Sequence, residues 1–298
     1  MWRMAFKSGF ISIIGRPNVG KSTLVNRIIG EKISIISPRP QTTRNRIQAV
    51  YTDERGQIIF VDTPGIHKAK NKLDHYMADQ VSKSLDGMDL ILVLLDGSTH
   101  FGRGDDFIFE QLKEIKTHVL VLLNKVDLLK KNELPERLKE YEEKSGKEIL
   151  PVSAVSGENI DKLLEIIFSH LPEGPQYYPE DMLTDQIERF IIAEFIREKI
   201  FYLTREEIPY GTAVLVEEMK ERKNGSVYIR ADIYVEKKSH KGIIIGKNGS
   251  MLKEIGKRAR EDIERLLQAD VFLDLWIKVL KDWREKEDLV RRMGYKDE

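Results

Sequence analysis

The sequence predicts a doubly wound, mostly parallel α/β domain followed by a smaller α+β module. Three observations predict this. Over the first part of the chain, short and nearly unbroken apolar runs alternate with segments of helix length, the pattern of strands buried on both faces of a parallel sheet. A proline-rich stretch, "LPEGPQYYPED" at 171–181, ends that rhythm. Beyond it the apolar residues recur every second position, as in strands with one face buried.

The strand candidates of the first domain are "FISIIG" (10–15), "IIFVD" (58–62), "LILVLLD" (90–96), "HVLVLLN" (118–124) and "EILPVSA" (148–154). "RIQAVYTD" (46–53) alternates more and is predicted at a sheet edge. After the proline-rich stretch, "DQIERFIIAEFIREKIF" has helical spacing, "TAVLVEEM" reads as a strand, and Asn224-Gly225 marks a turn. "VYIRADIYV" places Val227, Ile229, Ala231, Ile233 and Val235 on one face. A "GKNG" turn leads into a helix with Met251, Ile255, Ala259, Ile263 and Leu266 on one side, and "VFLDLWIKV" (271–279) alternates again. The expected division is 1–173 for the first domain, 174–181 for the linker and 182–298 for the second domain.

Composition narrows the classes. Lys plus Arg and Asp plus Glu number 49 each, so any basic surface must be local. There is no cysteine, which excludes disulfides, thiolate metal sites and a thiol nucleophile. No long uncharged apolar run suggests a membrane span, and "MWRMAFKSGF" lacks the apolar core of a signal peptide. The expected location is the cytoplasm.

The chemistry starts at "GRPNVGKS" (15–22), which fits G-x-x-x-x-G-K-[ST] directly after a strand and before a helix. Gly15, Arg16, Pro17, Asn18, Val19 and Gly20 form a loop whose amides can close on phosphate oxygens. Lys21 is expected to bridge the β and γ phosphates, Ser22 to hold Mg²⁺, and Thr23 to line the same helix start. "DTPG" supplies Asp62, a second Mg²⁺ candidate, with Thr63, Pro64 and Gly65, whose amide can reach a γ phosphate. "NKVD" supplies Asn124, Lys125 and Asp127. A carboxylate here can accept from guanine N1–H and the 2-amino group together, whereas adenine lacks that donor pair. Ser153 and Ala154 can offer a backbone N–H to guanine O6. Any one of these motifs is weak or moderate. Together, in order and each at the C-terminal end of a strand, they specify a GTP site.

These motifs resemble those of the translation-factor-like GTPases. The resemblance implies a threonine that binds Mg²⁺ in a switch segment. "QTTRNR" (41–46) is the candidate stretch, with Thr43 favoured and Thr42 left open. The position that carries a water-orienting Gln in Ras-like relatives is Ile66. In the subgroup this chain resembles, the residue corresponding to Asn18 can ligate K⁺. That role and a plain turn-forming role for Asn18 weigh evenly. Lys21, Asn18, Thr43 and Gly65 are the catalytic candidates.

"GKNG" (246–249) has the G-x-x-G form of a KH domain, whose loop clamps about four single-stranded nucleotides. Around it, Lys241, Gly242, Ile245, Gly246, Lys247, Asn248 and Gly249 are RNA-binding candidates, with Lys253, Lys257 and Arg260 along one face of the next helix. The charges alone fit a solvated helix face better; loop, element order and charges together favour RNA. Trp276 and Trp283 are further base-stacking candidates, with packing an equal alternative for Trp276. The six histidines show no metal-ligand spacing.

An α/β P-loop GTPase domain joined to an α+β type II KH domain resembles the Era GTPase family, on "GRPNVGKSTLVN", "QTTRNR", "DTPG", "NKVD", "SA" and "KGIIIGKNGSMLKEIG". The resemblance implies hydrolysis of GTP to GDP with Mg²⁺, binding of the 3′ end of 16S ribosomal RNA and action in small (30S) subunit assembly. Members of the family can also lie against the inner membrane. The competing readings are an ATP-using P-loop kinase, against which Asp127 argues, and a GTP-regulated protein-binding module whose KH-like domain no longer takes RNA. The ending "GYKDE" offers no lipid-anchor motif.

Overall fold

The computed structural model describes residues 5–37 and 39–296. By packing, the chain forms two units. The first comprises Met1–Ile36, Thr43–Lys68 and Met77–Asp185; the second comprises Ser37–Thr42, Ala69–Tyr76 and Gln186–Glu298.

The first unit is built on β1 (Lys7–Gly15), β2 (Ile47–Asp53), β3 (Gly56–Asp62), β4 (Leu90–Asp96), β5 (Val119–Asn124) and β6 (Ile149–Pro151). The helices are α1 (Lys21–Ile29), α2 (Lys72–Lys83), α3 (Arg103–Leu112), α4 (Leu134–Ser145) and α5 (Ile160–His170). The strand order is β2-β3-β1-β4-β5-β6, parallel except for the edge strand β2. All seven residues of β3 and of β4 are buried, as their unbroken apolar runs require in a sheet covered on both sides. Because β1, β3, β4, β5 and β6 run the same way, Gly15, Asp62, Asp96, Asn124 and Pro151 all end at one edge.

The segment expected as a linker, together with the residues just after it, is strapped to β2 and β3. Leu183 accepts from the Val50 amide at 2.9 Å, the Thr184 hydroxyl donates to the Gln48 carbonyl at 2.6 Å, and the Gln57 amide group donates to the Tyr178 carbonyl at 2.9 Å. Residues 182–185 therefore pack with the first unit, beyond the expected boundary.

The second unit contains α6 (Glu188–Leu203), β7 (Ala213–Glu221), β8 (Val227–Val235), α7 (Lys238–Ile245), α8 (Ser250–Leu267), β9 (Val271–Val279) and α9 (Glu287–Arg292). Its sheet runs β7-β8-β9, with β8 antiparallel to β7 and parallel to β9. Ile229, Ala231 and Ile233 of β8 and Ile255, Ala259 and Ile263 of α8 are fully buried, as their periodicities predict. One element differs from expectation. A helix not anticipated before the glycine loop, α7, takes in the apolar run "GIII", so "GKNG" joins two helices.

Candidate nucleotide and RNA sites

At the common strand edge, the loop after β1 turns through Asn18 (φ 65°) and Gly20 (φ 101°) into α1. Gly20 has a second reason to be glycine. A Cβ there would sit 2.3 Å from the Asn124 amide nitrogen. Asn18 is exposed and Val19 buried. Arg16 pairs with Asp105 of α3 at 3.0 Å and donates to Thr99 Oγ1 at 3.1 Å, which braces the loop from outside. Gly65 lies against Pro17, and the Ile66 amide donates to the Gly15 carbonyl at 3.1 Å, so "DTPG" rests directly on the phosphate loop.

Three oxygens predicted to share a metal come together. Ser22 Oγ donates to Asp62 Oδ2 at 2.7 Å and lies 2.9 Å from Thr43 Oγ1. Asp62 is fully buried, and its Oδ1 has no hydrogen-bond partner. A buried carboxylate oxygen of that kind is costly to leave unmatched. Two hydroxyls and a carboxylate are the hard oxygen donors that Mg²⁺ prefers, so the set fits the ion. Thr42 is placed otherwise: its hydroxyl donates to the Arg39 carbonyl at 2.7 Å, and its carbonyl accepts from Arg197 Nη2.

Lys21 is buried and bends back to the carbonyls of Gly15 at 3.3 Å and Arg16 at 3.2 Å. Burial pushes its ammonium down to about 8, partly offset by Asp62. Burial likewise raises the Asp62 carboxyl, against the pull of Lys21. Each group needs a charged partner, and an incoming Mg²⁺–polyphosphate supplies both.

The base end departs in detail from the sequence reading. Asn124 is buried. Its Nδ2 donates to the Val19 carbonyl at 2.8 Å and its Oδ1 accepts from the Ala154 amide at 2.9 Å. It ties the phosphate loop to the 153–154 loop; of the two amides that could meet guanine O6, that of Ala154 is engaged by Asn124 and that of Ser153 donates to the Glu158 carbonyl. Asp127 is exposed, its Oδ1 held by the Ser153 hydroxyl at 2.5 Å. The Thr63 hydroxyl, fully buried, donates to the Ile13 carbonyl of β1 at 2.7 Å and serves the sheet, which leaves its backbone to face the site. Pro64 is buried beside it, while Thr23 is half-buried one residue after Ser22. Sequence reasoning missed Asp96, at the end of β4, which pairs with Lys125 Nζ at 2.6 Å and fixes its stem. The signal was present, since Asp96 ends a strand at the same edge as Asp62 and Asn124. Ile66 packs partly buried against the core that includes Ile14, Val93 and Leu123, so it holds the chain and leaves no polar group there.

In the second unit, Gly246 (φ 73°), Asn248 (φ 52°) and Gly249 (φ 78°) give the loop a left-handed path. Lys247 and Asn248 are exposed, and Gly246 and Gly249 half-buried. Gly242 and Lys241 lie in α7, with Ile245 half-buried at its end. Lys253, Lys257 and Arg260 project from the exposed face of α8; Arg260 pairs with Glu264 at 3.5 Å. Trp283, by contrast, is wholly buried, donating to the Gly211 carbonyl at 2.9 Å, and cannot stack on a base. Among the described residues there is no His, Cys, Asp and Glu cluster able to hold a further metal.

Comparison with known proteins agrees with this division. The family model for 50S ribosome-binding GTPases matches residues 10–125, and that for KH domains matches residues 207–284. GTPase Era of Halothermothrix orenii is 61% identical over 98% of this chain and all of its own length. GTPase Era of Clostridium botulinum is 53% identical over 98% of this chain and 99% of its own. Two solved structures share 41% identity and a TM-score of 0.94 over 97% of this chain and 99% of theirs. One is Era with MgGDPNP and nucleotides 1506–1542 of 16S ribosomal RNA; the other is an Aquifex aeolicus Era variant bound to GDP.AlF4-. Matched along nearly its whole length at such identity, the chain belongs to the Era family of GTPases.

Proposed function

We propose that this protein is a GTP-hydrolysing switch that binds the 3′ end of 16S ribosomal RNA during assembly of the small ribosomal subunit. The observation that carries the reading is the joining of the GTP site by Asn124, which links phosphate loop and base loop within one frame. The Era structure that holds both a GTP analogue and this RNA segment supports the second half.

The residues divide the work as follows. Loop amides and Lys21 hold the β and γ phosphates. Ser22, Thr43 and Asp62 would hold Mg²⁺, which when bound neutralises charge on the phosphate oxygens. Asp127 accepts from the guanine edge, Lys125 lies along the base, and Ser153 keeps Asp127 in place. Gly65, seated on Pro17, presents its amide to the γ phosphate. The attacking water receives no proton acceptor from Ile66. Charge stabilisation therefore falls to Lys21; Asn18 would hold a K⁺ ion, which would add positive charge beside the phosphates. Turnover should be faster in K⁺ than in Na⁺, and Asn18→Ala should erase the difference; equal rates in both salts discard the potassium role.

The glycine loop with Lys247, Lys253, Lys257 and Arg260 takes single-stranded RNA. No described helix is long and apolar enough to cross a membrane; the basic face is the surface we assign to any peripheral attachment at the cytoplasmic side of the inner membrane, with the cytoplasm the main location. The function is tested by nucleotide competition and RNA titration on one preparation. GTP and GDP should displace a labelled guanine nucleotide where ATP does not. RNA affinity should fall steeply with salt as phosphate contacts release counterions. Equal competition by ATP, or salt-independent RNA binding, would overturn the assignment.

A further inference from the structure

The sheet of the second unit has a face that the glycine loop does not use. The side chains of Ile229, Ala231 and Ile233 are buried, and Leu275 packs within reach of Gly256 in α8. The alternate positions point the other way. β8 and β9 run parallel with Tyr228 beside Phe272 and Arg230 beside Asp274. That outward face is aromatic and cationic at once. The Tyr228 and Phe272 rings stack at 5.9 Å, and the Arg222 guanidinium lies 5.2 and 4.9 Å from them. Arg230 lies 5.7 Å from the Trp276 ring. Phe272 is 54% exposed and Trp276 56% exposed.

These rings are held rather than loose. Asp274 accepts from the Tyr228 hydroxyl at 3.2 Å and from Trp276 Nε1 at 2.9 Å. Large exposed aromatic side chains fixed by their polar edges, with guanidinium planes over them, are poor as bare surface and well suited to stacking on planar groups. The same face runs into a concavity of about 580 Å³ lined by Arg189, Lys220, Arg230, Lys278 and Arg292 against Glu217 and Glu218. Glu218 is paired with Lys220, and Lys278 with the buried Asp232. The balance left is positive. Rings at intervals beside a cationic hollow match a single nucleic acid strand, with bases on the rings and phosphates in the hollow.

We propose that this outer sheet face is a second single-stranded RNA site, taking nucleotides beyond those held at the glycine loop. It rests on the RNA-binding reading above. Phe272 and Trp276 stand four residues apart on one strand, about 13 Å, so they meet different bases. Arg222 and Arg230 supply the charge that keeps the strand against them.

The test uses the full chain and two synthetic oligoribonucleotides from the 16S 3′ end, of about four and about twelve nucleotides, the shorter matching one KH clamp. The longer should bind at least about tenfold tighter, the scale of stacking one or two bases. Phe272→Ala with Trp276→Ala should erase that gain and leave the short RNA unchanged. Arg222→Glu, which keeps both rings, should also reduce the gain and flatten its salt dependence. In a Trp2→Phe background, Trp276 fluorescence should be quenched by the long RNA only, over the constant signal of buried Trp283. If the double variant keeps the full gain, or Trp276 emission ignores the long RNA, the second site is refuted while the glycine-loop reading stands. If the double variant instead loses only a protein partner, the face is a protein interface and the proposal fails. If wild-type protein binds neither RNA, both readings fall together.

Discussion

The molecule carries two glycine loops shaped for phosphate, and they are built in opposite ways. The loop at 15–22 is enclosed. Val19 and Lys21 are buried, Asn124 grips its backbone, Arg16 is anchored to α3, and Gly65 lies on Pro17. The loop at 246–249 is open: Lys247 and Asn248 are exposed, and a Cβ added at Gly249 would meet nothing within 4 Å. An enclosed loop can hold one small ligand at fixed geometry, which transfer of a phosphoryl group demands. An open loop can admit a chain that enters and leaves. The same local device is thus suited to catalysis or to polymer binding according to what packs around it.

Substitutions can break that contrast from either side. The largest effect is expected at Asp62, whose unpartnered buried oxygen belongs to the enclosed site. Asp62→Asn should lower GTP turnover by roughly a hundredfold or more while leaving RNA binding intact, as steady-state hydrolysis and RNA titration will show. Asn124→Ala comes next. It strips a partner from the Val19 carbonyl and the Ala154 amide, at about 1–3 kcal/mol for each buried group left unpaired. Chemical denaturation should register the loss, and guanine nucleotide affinity should drop with it. If stability holds and only affinity changes, the bracing role is wrong.

At the open loop, Gly249→Asp should weaken RNA binding by about tenfold and spare GTP binding, a charge effect of the order of one charged hydrogen bond. The left-handed backbone at Gly249 strains any side chain, so Gly249→Ala is the control. Only the difference between the two variants reports charge. The smallest effect is a pH dependence. Free Lys21 has its pKa lowered to about 8, and phosphate contact raises it again. Binding above that pH then takes up a proton, so GTP affinity should be flat below about pH 8 and fall as pH rises beyond it. Lys21→Arg, which stays charged, should flatten the fall. Titration of affinity between neutral and alkaline pH decides the point.

Much of the fold was legible because its signals are local. The unbroken apolar runs of β3 and β4 mark a two-sided sheet, and the alternation in β8 marks a one-sided one. The phosphate loop, Asp62 and Asp127 could be placed because a parallel sheet brings strand ends to one edge. Other features were not legible. Helix α7 was missed because "GIII", three isoleucines between Gly242 and Gly246, has no period long enough to separate helix from strand. The bracing by Asn124 depends on Val19 and Ala154, distant in sequence. The burial of Thr63 and Trp283 depends on what packs over them, which no neighbouring residue announces. Asp96 was legible in principle, at the strand edge already in use, and its partner Lys125 was in view.

The bracket formed by Asn124 also bears on redesign. One amide group ties together the two loops assigned to phosphate and to base, so changing it to admit a new base should slacken the first loop at the same stroke. Asp127 sits at the rim, exposed, with a hydroxyl steadying only one of its oxygens. Altered nucleotide preference is therefore accessible through the rim and foreclosed through the bracket, in the laboratory and in any lineage carrying this arrangement.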